Sequence, residues 1–110
     1  MASIVCELWD QKLLDMYAIP QLETFGVTLA FAKAEGIIAA PEAAHGIAGA
    51  IREAQAAKEA GEERVILFNL CGHGHFDMSA YDAYLGGELS NYEYPQAEIE
   101  RAMEALPQVG

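Results

Sequence analysis

Residues 71 to 77 read Cys-Gly-His-Gly-His-Phe-Asp, so a thiol, two imidazoles and a carboxylate lie close together with two glycines between them. A second acid and imidazole, Glu42 and His45, stand one helical turn apart further upstream. Thiolate and imidazole are good ligands for zinc or copper. However, Cys-x-His-x-His is not a common structural zinc spacing, and alternate residues converge only on an extended segment, which the glycines oppose. No metal ligand is assigned. Cys71 with His73, His75 or His45 as base has the composition of a nucleophilic pair. A separation of two residues gives poor thiol–imidazole geometry, and no third, orienting group is evident, so no catalytic residue is assigned. The preferred reading is that the histidines satisfy backbone groups in a tight turn and at a helix start.

These residues must be positioned by what precedes them. Arg64-Val65-Ile66-Leu67-Phe68-Asn69-Leu70 is an almost unbroken apolar run bounded by charge and glycine, the pattern of a strand buried on both faces in a parallel sheet. Open α/β sheets bind ligands at the carboxyl ends of such strands, so the Cys71–His75 loop is the expected place for a small-molecule ligand. The glycines allow positive φ or a close approach of backbone to that ligand.

The other elements follow in order. Residues 3–14 have helical apolar spacing with Ser3 as N-cap, and 16–19 form a short strand ending at Pro20. Pro20 opens a helix with a stripe of Leu22, Phe25, Leu29 and Ala32, which stops at Gly36. Residues 37–40 form a second short apolar run, strand or extended. Pro41 opens another helix, with Glu42 in its first turn and Ala44, Ile47, Ala48 and Ile51 inward, which ends at Gly61. Residues 78–85 form a short helix capped by Asp77, and 96–106 a last helix with Ile99, Met103 and Leu106 inward. The predicted fold class is α/β: a small three-layer unit of about three short, mostly parallel strands flanked by helices, forming a single domain over residues 1–110. A sheet this narrow has edges needing cover, so the unit is expected to pair with a copy of itself or to be part of something larger.

Composition narrows the function classes. Apolar residues make up 53% and charged residues 21% of the chain, which argues for a folded globule. Six basic against 17 acidic residues give a net charge of −11, which repels phosphate backbones and anionic lipid; neither nucleic acid nor membrane is an expected partner. Beyond residue 73 seven acids face only Arg101, a solvated acidic face. Glu7 and Asp10 stand where a signal peptide would carry Lys or Arg. Two cysteines, Cys6 and Cys71, make no disulfide framework. A cytoplasmic protein is expected.

Three blocks in order carry a family resemblance: Glu35-Gly36-Ile37-Ile38-Ala39-Ala40-Pro41-Glu42-Ala43-Ala44-His45, then Arg64 through Asp77, then Tyr81-Asp82-Ala83-Tyr84-Leu85. Together they resemble the C-terminal part of the tryptophan synthase beta chain, and more closely the beta-chain-like second subfamily, whose strand ends in Leu-Ser-Gly-His-Gly. The Gln21…Phe25 spacing also fits, so the resemblance spans essentially the whole chain. It implies part of a type II pyridoxal-phosphate enzyme fold and a lyase-family reaction joining L-serine and indole into L-tryptophan. Cys71 falls where the family usually places a serine whose hydroxyl bonds the pyridine nitrogen of pyridoxal phosphate. A neutral partner there keeps that nitrogen unprotonated and favours β-replacement. Glu42 matches an acidic residue near the cofactor ring, and Gly72 with His73 shapes the adjoining loop.

Other family features have no counterpart. Lys12, Lys33 and Lys58 match no Schiff-base lysine, and the glycine-rich phosphate cradle and the general-base glutamate are missing. The resemblance therefore implies about the last quarter of a beta chain, beginning at a methionine that serves as an internal start, with weak or absent cofactor binding and no catalysis by this chain alone. Ala39 replaces a proline, and Gly26 and Gly46 stand inside helices at about 1 kcal/mol each relative to alanine. The rival readings are a stand-alone binding or interaction module, homo-oligomeric, and a small metal- or thiol-dependent enzyme using Cys71 and the histidines.

Overall fold

The structure is a computed structural model and describes residues 2–104 and 106. It contains five helices, α1 (Ser3–Asp10), α2 (Gln21–Glu35), α3 (Ala44–Ala60), α4 (Met78–Leu85) and α5 (Gln96–Glu104), and no strand among the described residues. The expected α/β three-layer unit is therefore not formed. The segments read as strands, 16–19, 37–40 and 64–70, are non-helical, but a strand exists only by pairing. Among the described residues the one β-bridge is antiparallel, between Ala39 and His73.

Helix ends follow the local chemistry. Pro20 sits at the N-cap of α2 with φ −65° and ψ 150°, values its ring favours. Gly36 (φ 71°) and Gly61 (φ 67°) end α2 and α3 in the left-handed conformation, which a Cβ would disfavour. α4 matches its expected bounds with Asp77 at the N-cap, although the Asp77 side chain makes no capping bond. Ser3 is the first residue of α1 and not its cap, and α1 stops at Asp10 instead of continuing to residue 14. Pro41, Glu42 and Ala43 form a turn ahead of α3.

The core is small and lies where α2 packs against α3 and α4. Ala39, Ala43 and Ile47 form its centre, with Val27, Phe31, Ala40 and Phe68 packed around them. Phe25 meets the Tyr81 ring edge-on at 5.1 Å and stacks on Tyr84 at 5.4 Å, geometries that suit the aromatic quadrupole. Thr24 and Thr28 are buried, and their hydroxyls donate to the carbonyls of Gln21 and Thr24. Arg52 of α3 holds Glu23 of α2 through two bonds of 2.6 and 2.9 Å.

Several apolar residues expected inside are outside. Ile51 is exposed. α1 and α5 bury no residue and pack on no other helix, so Ile99, Met103 and Leu106 face solvent, contrary to the expected inward stripe. Ala105, within that expected helix, and Met1, the expected internal start, lie outside the described residues. Amphipathic spacing makes a helix able to dock; docking also needs an acceptor surface, and among the described residues α5 meets none.

The two helical glycines have a packing role. A Cβ on Gly46 would lie 3.3 Å from the Asn69 carbonyl oxygen and 3.6 Å from the Phe68 ring, and one on Gly26 would lie 3.2 Å from the Tyr84 hydroxyl. Gly46 thus lets α3 approach the extended segment closely, which offsets part of its helix-propensity cost.

Candidate functional site

The Ala39–His73 bridge brings the two halves of the predicted site together. The Ala40 N–H donates to the Gly72 carbonyl and the Gly74 N–H to the Ile38 carbonyl, each at 2.9 Å. These bonds flank the bridge as in an antiparallel ladder. They set Gly72, the residue after Cys71, against Ala40, two residues before Glu42. A Cβ on Gly72 would stand 3.0 Å from the Ala40 methyl. Segments some thirty residues apart in sequence are thereby neighbours.

Gly74 and Tyr81 buttress this junction, and neither was singled out from sequence as a positioning residue. A Cβ on Gly74 would meet the Ala39 carbonyl oxygen at 2.5 Å, Ile38 at 2.9 Å and the Tyr81 ring at 3.1 Å, so no larger residue fits. Gly72 and Gly74 do not have positive φ. Their role is close approach, and what approaches is the chain's own backbone. From α4 the Tyr81 hydroxyl donates to the Ala39 carbonyl at 2.5 Å. Burial pushes the Tyr81 phenol up from its ordinary value; the Thr28 hydroxyl opposes this, while Asp77 and Glu42 reinforce it. The available sequence signal was the Gly-His-Gly run followed by a tyrosine on the next helix.

Two of the three histidines, His45 and His73, meet backbone groups through their rings. His45 Nδ1 lies 3.2 Å from both the Pro41 and the Glu42 carbonyl oxygens, so this nitrogen carries the proton and donates to the turn ahead of α3. The His75 N–H donates to His73 Nδ1 at 3.4 Å, and the two rings sit with centroids 4.9 Å apart. Phe76 lies 5.4 Å from the His73 ring and is itself exposed. Among the described residues no three His, Cys, Asp or Glu side chains converge as a metal would need.

Cys71 and Glu42 are exposed and Gly72 is half-buried. None of the three lines a main pocket among the described residues. Lys12, Lys33 and Lys58 are exposed on or beside α1, α2 and α3. The described residues therefore do not fit a complete pyridoxal-phosphate site: the lysines lie on or beside α1, α2 and α3, and Gly72 and Gly74, without positive φ, build no phosphate nest there. An apolar groove of about 430 Å³ lies elsewhere, between α2, α3 and the inner side of the extended segment, where Phe31, Ile47, Ile66 and Phe68 line it. No helix of the described residues is long and apolar enough to cross a membrane.

No family model matches the chain. Among curated proteins, the tryptophan synthase beta chain 2 of Aquifex aeolicus is 54% identical over 90 residues, which cover 82% of this chain and 21% of that protein. The beta chain 2 of Thermotoga maritima is 56% identical over 80 residues, 73% of this chain and 19% of its own length. The tryptophan synthase beta chain of Pyrococcus horikoshii is 45% identical over 93 residues, 84% of this chain and 20% of its own. The chain spans about a fifth of the length of these relatives. Over most of its own length it resembles the C-terminal part of a tryptophan synthase beta chain.

Proposed function

We propose that this chain is the segment of a tryptophan synthase beta chain that walls one side of a pyridoxal-phosphate site, and that it does not make tryptophan by itself. The cofactor supplies the electron sink for joining L-serine and indole, the reaction implied by the resemblance. The observation that supports this reading is the Ala39–His73 bridge, which sets Gly72, the neighbour of Cys71, against Ala40, two residues before Glu42. In this reading the Cys71 thiol occupies the place of a neutral hydrogen-bonding group at the ring nitrogen, as a weaker partner than a hydroxyl. Glu42 stands beside the ring edge and Gly72 keeps the wall thin.

The test is calorimetric titration of pyridoxal phosphate into the chain, with borohydride reduction and intact mass to detect a covalent adduct. The expected result is weak, saturable binding with no reducible adduct, weakened further by Cys71→Ala and preserved by Cys71→Ser. Because Cys71 is exposed, Cys71→Ser changes unfolding stability by less than about 0.5 kcal/mol. A specific lysine adduct, binding indifferent to Cys71→Ala, or no binding at millimolar ligand would overturn the proposal.

A further inference from the structure

His73 and His75 carry imidazole nitrogens that the functional reading does not use, and the structure removes an objection to their spacing. The glycines between the donors lack positive φ. The hydrogen bonds beside the Ala39–His73 bridge hold residues 72–74 against 38–40 as in an antiparallel ladder. A Cβ on Gly72 would press on Ala40, and one on Gly74 on Ile38. Alternation therefore puts Cys71 and His73 on the opposite side of the run, and both are exposed. His75 is exposed as well, and its ring centre lies 4.9 Å from that of His73.

That separation suits a shared metal ion. An imidazole nitrogen binds a first-row divalent ion at about 2.0–2.1 Å, which leaves the ion about 3.2 Å from the ring centre. Two rings 4.9 Å apart then subtend about 100° at one ion, between the cis angle of a tetragonal site and the angle of a tetrahedral one. Both rings are exposed, so rotation of each side chain can bring a nitrogen to that point. Among the described residues no third His, Cys, Asp or Glu joins the pair, so the ion keeps water in its other positions. Imidazole nitrogen together with water oxygen is a donor set that suits Cu2+ and Ni2+.

Little opposes the ion. The His75 N–H bond to His73 Nδ1 is 3.4 Å long, outside the usual range of about 2.7–3.2 Å. Coordination by His73 gives this bond up whichever nitrogen is used, because Nδ1 then either binds the ion or carries the proton. The net charge of −11 draws cations to the surface. We infer that His73 and His75 form a surface site for one divalent ion of the Cu2+ or Ni2+ kind, held by two imidazoles and water. The inference does not rest on the functional reading above.

The experiment titrates Ni2+ alone into the metal-free full chain by calorimetry, with proton–nitrogen NMR spectra at each step. The expected result is saturation at one ion per chain below millimolar Ni2+, with the amide signals around residues 73–75 the first to broaden. His73→Ala and His75→Ala each weaken binding at least tenfold. The chain has three histidines, so His45→Ala is the control, and it changes binding less than twofold, as does Cys71→Ser. The metal-free unfolding midpoint checks each variant, and the spectra of the unsubstituted chain locate the ion whether or not a variant folds. No saturation below millimolar Ni2+, a tenfold loss with His45→Ala or Cys71→Ser, or first broadening away from residues 73–75 would each overturn the inference.

Discussion

At the scale of single residues, the junction between residues 38–42 and 71–74 depends on two features that composition hides. Gly74 is required because the Ala39 carbonyl oxygen occupies the space where a Cβ would be. Tyr81 is required because that carbonyl, on a residue with no exposed surface, takes its hydroxyl. Tyr81→Phe is expected to lose about 1–2 kcal/mol of unfolding free energy, the cost of leaving a buried acceptor unpaired, measurable by urea denaturation. The pH dependence follows from the raised phenol pKa. Above the ordinary tyrosine value of about 10 the unfolded chain ionises first, so the stability Tyr81 contributes is full below that pH and falls as pH rises past it. Denaturation midpoints for the unsubstituted chain should therefore fall more steeply above pH 10 than those for Tyr81→Phe. Cys71, Glu42 and Gly72 were named from the resemblance, and the structure sets Gly72 against Ala40, with Cys71 and Glu42 exposed near that junction. Gly74 and Tyr81 emerged only when the distances were known, because a steric need is invisible until the neighbouring backbone is placed.

At the scale of elements, helices were readable and strands were not. A helix satisfies its own backbone, so Pro20, Gly36 and Gly61 mark boundaries that hold in three dimensions. A strand's hydrogen bonds belong to its neighbours, and apolar patterning cannot say whether those neighbours are present. Residues 64–70 have the sequence of a strand buried on both faces and are covered on one. One helix start also depends on a distant residue. Pro20 offers no side-chain acceptor, and Asn91 Oδ1 instead takes the Leu22 N–H at 3.1 Å, while the Gln21 amide donates to the Ser90 carbonyl. Asn91→Ala is expected to cost about 1 kcal/mol, as loss of an N-cap does. Amide exchange at Leu22 should rise in step, whereas the ends of α3 and α4 should be unaffected.

At the scale of the whole molecule, the radius of gyration is 17.1 Å, compared with about 13 Å for a compact domain of this length. The excess has an identifiable source: α1 and α5 lie against no other helix, and the core is a few alanines, one isoleucine and two aromatic residues between α2, α3 and α4. Small-angle scattering of the isolated chain should give a radius near 17 Å at low concentration. A value near 13 Å would show that α1 and α5 fold back onto the core.

The sequence by itself determined the helical segments, their glycine and proline boundaries, the charge of −11 and the likeness to part of a tryptophan synthase beta chain. All of these are written in local propensity or residue identity, which need no third dimension. The tertiary structure alone decided that, among the described residues, three apolar runs do not make a sheet, that α5 packs on no other helix, and that one antiparallel bridge sets Gly72 against Ala40. Pairing, burial and close approach are relations between distant segments. Their outcome depends on which surfaces are present to meet, and among the described residues none covers Val65 and Leu67.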